Sequence, residues 1–230
     1  TNIMILSKKT LLCVCLFSSF QTFAAGMVPD TSLLLINEDE RGASMDVKNS
    51  DDTAQLLYTR IVDLPDDPKP GVVVTQPVVR VNAGKTQRVR FVLKDSAEKL
   101  KTEHLKRVIF STIPQREQNK VKMVFSQNLP VIIRPAGLDV NMEPWKDLRW
   151  QIKNGSLTVV NDTPYVVRME QHATLLPSRI KVKFDKSYIL PGQTMIATSE
   201  NTISGQNNKV EMYPATRFGY KAGSYVAELI

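Results

Sequence analysis

Short runs of alternating or β-branched apolar residues recur along the chain after residue 25, each closed by glycine, proline, asparagine or aspartate. Successive side chains of a β-strand point to opposite faces, so this alternation is typical of half-buried strands. The one stretch with helical character, residues 95–105, is long enough for one or two turns only. The pattern predicts a first series of strands over residues 32–36, 44–48, 55–62, 72–81, 86–93, 106–113 and 122–134, the last interrupted by Pro130.

The alternation pauses between residues 135 and 144, where two prolines and a glycine indicate a linker. A second series of strands is predicted over residues 148–152, 156–161, 165–170, 180–184, 193–199, 209–213 and 224–229. We therefore predict an all-β protein with two β-sandwich domains, residues 25–134 and 144–230, joined by a linker over residues 135–143. The 230 residues of the chain accommodate two such domains of about 100 residues each.

The N-terminal residues have the three parts of a secretory signal peptide. Lys8 and Lys9 are followed by the apolar residues 11–17 and by small residues that end at Ala24. We assign residues 1–24 to a cleaved signal peptide. A retained membrane anchor is the alternative, although the apolar core is shorter than the roughly 20 residues that a spanning helix needs. Both cysteines lie inside this segment, so the mature chain would have neither a disulfide nor a thiol nucleophile.

The formal net charge of +7 is compatible with nucleic acid, an anionic membrane surface or an acidic protein partner. The charge is spread along the chain without a run of five or more like charges and without a nucleic-acid-binding motif. We therefore expect no nucleic-acid partner, and no stable insertion of the mature chain into a membrane.

Residues with catalytic or metal-binding potential are few. His104 and His172 are the only histidines, and no metal-binding motif surrounds them. The adjacent carboxylates at residues 51–52 and 66–67 sit beside turn residues, and neighbours in a strand face opposite sides. We predict no metal, no cofactor and no enzymatic activity. A hydrolase would be favoured only if a pocket gathered one histidine with carboxylates.

Several motifs follow one another in a characteristic order across both predicted domains. They lie at residues 77–81, 83–84, 88–91, 107–110, 113–114, 129–135, 160–165 and 190–192, and include an N-x-T-P-Y turn and an L-P-G turn. In this order they resemble the periplasmic pilus (fimbrial) assembly chaperones of the PapD type, in a divergent branch.

The resemblance implies two immunoglobulin-like domains and a role in the periplasm. It implies a chaperone that binds and stabilises pilin subunits by donor-strand complementation and delivers them to an outer-membrane usher. Donor-strand complementation means that the chaperone lends a strand to a subunit that lacks one. The free protein would then be able to cap itself as a dimer. A secreted adhesion or binding module with two immunoglobulin-like domains is the alternative.

The resemblance also assigns a strand that fills the subunit groove. Its groove-filling residues are Val121, Met123, Phe125 and Leu129, which share one face when counted by twos. The structural alternative is that this face belongs to the ordinary core of the first domain.

Common members of the family hold the subunit's terminal carboxylate with an arginine and a lysine. The matching positions here are Leu33 (or the neighbouring Ser32) and Pro130, which carry no charge. We hypothesise that Arg90 and Arg107 replace this anchor, because a planar guanidinium donates two parallel hydrogen bonds to a carboxylate. The resemblance further implies an ion pair between the domains formed by Glu103 and Arg134.

Overall fold

The computed structural model describes residues 26–113, 125–203, 205–218 and 222–230. Within these ranges the chain forms β-strands and one short 3₁₀ helix, Pro144–Asp147. The predicted all-β fold class is therefore confirmed. Residues 95–103 form bends and irregular backbone rather than a helical turn. No helix of the described ranges is long and apolar enough to cross a membrane.

The first domain contains one continuous system of nine strands. In chain order they are β1 (Met27–Pro29), β2 (Leu34–Asn37), β3 (Gly42–Asn49), β4 (Gln55–Asp63), β5 (Val72–Val74), β6 (Val78–Val81), β7 (Thr86–Leu93), β8 (His104–Ile113) and β9 (Ser126–Arg134). The spatial order is β5-β7-β3-β2-β9-β8-β4-β6, with β1 paired to β3. All ladders are antiparallel except the one between β2 and β9.

This sheet system folds into two layers around one apolar core. Phe91 of β7 and Phe110 of β8 meet edge to face, with ring centroids 6.4 Å apart, although four ladders separate their strands in the sheet order. Strand β2 connects the layers, because it pairs with β3 on one side and β9 on the other. Alternate residues of β7 and β8 therefore point into the core, and the residues between them point outward.

Strand β9 runs without a break through Pro130, where the sequence pattern predicted an interruption. Its partner β2 begins only at Leu34, which lies opposite Val131. Proline lacks an N–H donor and is tolerated where a strand has an open edge. Pro130 meets this condition, since on the β2 side no strand of the described chain pairs with residues 126–130.

The second domain has two sheets around a separate core. Its strands are β10 (Arg149–Lys153), β11 (Ser156–Val160), β12 (Val167–Leu176), β13 (Lys181–Lys183), β14 (Tyr188–Ile189), β15 (Thr194–Ile196), β16 (Lys209–Pro214) and β17 (Tyr225–Glu228). One sheet has the order β10-β11-β15, and the other has β13-β12-β16-β17 with β14 on β12. Trp150 is fully buried between them and contacts Phe184 at a centroid distance of 6.0 Å.

Candidate functional site

Glu103 lies immediately before β8 and is a buried carboxylate at the boundary between the domains. Its side chain is fully buried, and its Oε2 accepts a hydrogen bond from Arg134 Nε at 3.2 Å. Arg217 of the second domain donates to both carboxylate oxygens, at 2.9 and 2.8 Å. The backbone N–H of Val166 donates to Oε1 at 3.1 Å. The structure thus brings the predicted pair together and adds an arginine from the other domain.

The N-x-T-P-Y turn of the sequence positions the segment that reaches Glu103. Asn161 is fully buried and donates to the carbonyls of Tyr165 at 2.8 Å and Ile189 at 3.1 Å. Its Oδ1 accepts the backbone N–H and the hydroxyl of Thr163, at 3.1 and 2.6 Å. A buried side chain with all these groups satisfied fixes one backbone conformation. The turn therefore holds Val166 where its N–H meets the Glu103 carboxylate.

Asp66 forms a second polar link between the domains. It accepts hydrogen bonds from Lys186 Nζ at 2.7 Å, from the Tyr188 hydroxyl at 2.8 Å and from Gln193 Nε2 at 3.1 Å. Burial raises the pKa of Asp66, but the hydrogen bonds from Lys186, Gln193 and Tyr188 outweigh it and lower the value to about 2. Burial and the Asp66 hydrogen bond raise the pKa of Tyr188 to about 12. Asp66 is therefore ionised at neutral pH and ties both domains together.

Between these links lies a small apolar cluster of Leu105 and Ile132 from the first domain with Val166 and Leu190 from the second. Each is no more than 5% exposed, which indicates a packed contact and not a hinge with open space. The two domains therefore form the walls of a defined cleft.

One cavity in the cleft has a volume of about 660 Å³ and a mainly apolar wall. Leu33, Leu35, Met142 and Phe218 line it, and Arg134 and Arg217 also reach it. The Ser32 hydroxyl donates to the Phe218 carbonyl at 2.7 Å across this boundary.

A second cavity of about 280 Å³ has a cationic wall. Arg107 of β8 and Arg168 of β12 both line it, together with Leu105 and Tyr188. Arg107 donates through Nε to Asn128 Oδ1 at 2.7 Å and through Nη2 to the Asn128 carbonyl at 2.8 Å. Arg168 was not singled out by the sequence, because a strand arginine carries no motif.

The open edge of β9 leads away from this cleft. Residues 126–130 pair with β8 on one side only among the described strands. Leu129 packs against the core of the first domain, whereas Phe125, immediately before the strand, is 50% exposed. Because side chains alternate along a strand, Phe125 and Leu129 lie on the same face as the core residues Val131 and Ile133. This apolar face of the strand therefore extends beyond the core of the first domain, as far as the exposed Phe125.

The histidines do not form a catalytic centre with a carboxylate dyad. His104 Nδ1 lies 2.7 Å from Asp67 Oδ1, and the other Asp67 oxygen accepts the N–H of Leu105. His172 contacts Glu170, at 2.7 Å. Each of these contacts joins a histidine to one carboxylate, and the described residues contain no cluster of three or more potential metal ligands of the His, Cys, Asp or Glu type.

Comparison with known proteins decides the family. The model of the pili and flagellar-assembly chaperone PapD N-terminal domain matches residues 26–139, and that of the pili assembly chaperone PapD C-terminal domain matches residues 143–222. The uncharacterized fimbrial chaperone YhcA of Escherichia coli (strain K12) is 42% identical over 215 residues, which cover 92% of this chain and 94% of that protein. The chain belongs to the pilus-assembly chaperone family. Members of this family are chaperones rather than enzymes.

Solved structures of chaperones share the fold. The crystal structure of the YadV chaperone has a TM-score of 0.72 at 20% identity, covering 89% of this chain and 100% of that one. The Salmonella enterica SafB chaperone, solved in complex with the SafA pilin, has a TM-score of 0.71 at 17% identity, covering 90% and 98%.

The structure places the predicted site residues of this chaperone in different surroundings. Phe125 lies just before the open part of β9 and Leu129 lies within it, whereas Val121 and Met123 lie outside the described residues. Arg90 and Arg107 are not brought together. Each points away from the core, and their strands belong to opposite layers, so the two guanidinium groups lie on opposite outer faces of the domain. Only Arg107 lines the cleft.

Proposed function

We propose that this chaperone acts in the periplasm, holds pilin subunits by donor-strand complementation and delivers them to an outer-membrane usher. The observation that carries the proposal is the edge of β9 over residues 126–130, which pairs with no described strand on the side away from β8 and lies next to the exposed Phe125. An unpaired edge offers backbone donors and acceptors to another chain, and alternate apolar side chains offer a fit to a groove. The strand would supply what an incomplete subunit lacks.

The cleft supports the orientation of the subunit. Arg107 lies opposite Pro130, at the end of the open part of β9, in the ladder between β8 and β9. A subunit strand that paired along β9 would end near this guanidinium. We therefore retain Arg107 as the proposed carboxylate anchor. Arg90 has no place in this site, since it lies on the other outer face.

Co-expression with pilin candidates encoded next to the chaperone's gene tests the proposal. The wild-type chaperone should be recovered from the periplasm as a one-to-one complex with one of them. Phe125→Glu and Leu129→Glu should reduce recovery of that complex, because a charge in an apolar groove is costly. Phe125 is already half exposed, so its replacement should leave the free chaperone folded.

Ser126→Glu is the matched control, because Ser126 is exposed and points to the opposite face of the same strand. It should retain the complex. Equal recovery of the complex by the Phe125→Glu and Ser126→Glu variants would contradict donation of this strand face. If wild-type protein bound no candidate, the function itself would be refuted for those subunits.

A further inference from the structure

Lys106 of β8 occupies a core position where the alternation of the strand favours an apolar residue. Val108 and Phe110 follow it on the same face, and both are fully buried in the core of the first domain. Lys106 is fully buried as well, whereas every other lysine in the described part of the chain is at least partly exposed. Removing an ammonium group from water is costly, so the contacts of Lys106 have to offset that cost.

The ammonium group of Lys106 contacts both ends of the turn that follows β4. Its Nζ donates to Asp63 Oδ1 at 2.7 Å and to the Asp67 carbonyl at 3.4 Å. Between these residues the N–H of Asp67 donates to the Leu64 carbonyl at 3.0 Å, which closes a four-residue β-turn with Pro65 at its second position. Asp63 ends β4 and its side chain is 55% exposed, so water solvates the outer side of the ion pair.

The two residues before Lys106 hold the same turn through the Asp67 side chain. Asp67 Oδ1 lies 2.7 Å from His104 Nδ1, and Asp67 Oδ2 accepts the N–H of Leu105 at 2.9 Å. Three consecutive residues of β8 therefore fix the base of the turn, while Asp66 lies at its third position, the tip.

From the tip of the turn, Asp66 reaches the second domain and accepts hydrogen bonds from Lys186, Tyr188 and Gln193. The receiving side is ordered too, because Gln193 Oε1 accepts the N–H of Leu190 at 3.0 Å. A polar contact made from a freely moving surface turn contributes little, since the turn loses conformational entropy when it pairs. A turn that is already fixed at its base avoids most of this loss.

We propose that Lys106 is a positioning residue, whose buried ammonium group holds both ends of the 64–67 turn and thereby presents Asp66 to the second domain. Glu103, which directly precedes His104, forms the other polar link between the domains. Residues 103–106 therefore organise both polar links from one short segment at the start of β8. The inference concerns the free protein and is independent of the proposed function.

Lys106→Met tests the proposal, because methionine suits a buried site and has no ammonium group. The measurement is an NMR titration of the Asp66 carboxyl and the Tyr188 ring, whose wild-type pKa values are expected at about 2 and about 12. In Lys106→Met the pKa of Asp66 should rise towards its ordinary 3.8, and the pKa of Tyr188 should fall towards its ordinary 10.0. Both shifts follow from loss of the hydrogen bond between these two side chains.

The opposite directions of the two shifts separate positioning from a direct effect of charge. Loss of a nearby positive charge alone would raise the pKa of both groups. A rise at both groups, or no shift at either group in a folded variant, would overturn the proposal. Lys48→Met, which removes an exposed lysine of β3, is the matched control and should leave both pKa values unchanged.

Asp63→Ala tests the same turn from the other partner of the ion pair, and it also covers a failure of Lys106→Met to fold. The exposure of Asp63 should allow this variant to fold. Removal of a negative charge would by itself lower the pKa of Asp66, whereas release of the turn should raise it. If the Asp66 pKa stayed near 2 or fell in the folded Asp63→Ala variant, Lys106 would not act through the turn.

Discussion

Glu103→Gln should destabilise the chaperone strongly, because Glu103 is the only carboxylate that binds Arg134 and Arg217 within the described residues. The substitution keeps the size and shape of the side chain and removes its charge. Both guanidinium groups would then remain buried, with side chains only 10% exposed, and would have no counter-charge.

Breaking a buried ion pair by removing one partner costs about 3–5 kcal/mol. We expect the lower end of this range, about 3 kcal/mol, because both arginines keep neutral acceptors. Arg134 still donates to the carbonyls of Leu138 and Asp139, and Arg217 to that of Asn141. The matched control is Glu143→Gln, which removes a carboxylate paired with Lys146 on the surface and should cost less than about 1 kcal/mol.

Urea unfolding measures both variants. Both tryptophans, Trp145 and Trp150, lie in the second domain, so their fluorescence reports that domain, whereas far-UV circular dichroism reports both. A loss of about 3 kcal/mol should lower the urea midpoint by about 1 M or more, given slopes of about 1–3 kcal/mol per molar urea. Because Arg217 connects the domains through Glu103, the two probes should also separate in Glu103→Gln.

A midpoint for Glu103→Gln within error of that for Glu143→Gln would refute the reasoning. It would mean that water or backbone acceptors replace the carboxylate at little cost, and that the domains are held mainly by the apolar cluster around Leu105 and Ile132.

Two further predictions concern stability. Since hydrogen bonds lower the pKa of Asp66 to about 2 from its ordinary 3.8, its contribution is present above pH 4 and is lost as the pH falls through 2. Asp66→Asn should therefore be less stable by up to about 1 kcal/mol at pH 7, because solvent screens this exposed carboxylate, and the difference in unfolding free energy should disappear near pH 2. Asn161→Ala should cost about 2–4 kcal/mol by thermal unfolding, because it leaves buried backbone groups unpaired. The exposed Asn201→Ala should cost under about 0.5 kcal/mol.

Local patterns in the sequence identified most of the strands and the family, but they missed the short strands β1 and β14 and joined β5 and β6 into one strand over residues 72–81. Alternation identified the strands because burial on one face of a sheet imposes a period of two. The N-x-T-P-Y motif identified a turn because an asparagine at position 161 bonds to backbone groups within a few residues. The Glu103–Arg134 contact was predicted from the resemblance to the family and not from the pattern itself. These features depend on residues close in sequence or on motifs with a fixed order.

The contents of the cleft depended on tertiary structure. A period of two tells which face of its own strand a residue occupies, but not which layer the strand joins or which element lies opposite. Arg90 and Arg107 were equivalent by sequence, and only the packing of Phe91 against Phe110 shows that they lie on opposite outer faces. Arg168 and Arg217 reach the cleft because the second domain packs against β8 and β9, through contacts between residues far apart in sequence. The alternation of apolar and polar residues therefore determined only the face of its own strand that each charged side chain occupies. Packing between residues far apart in sequence determined which of these side chains lie close together.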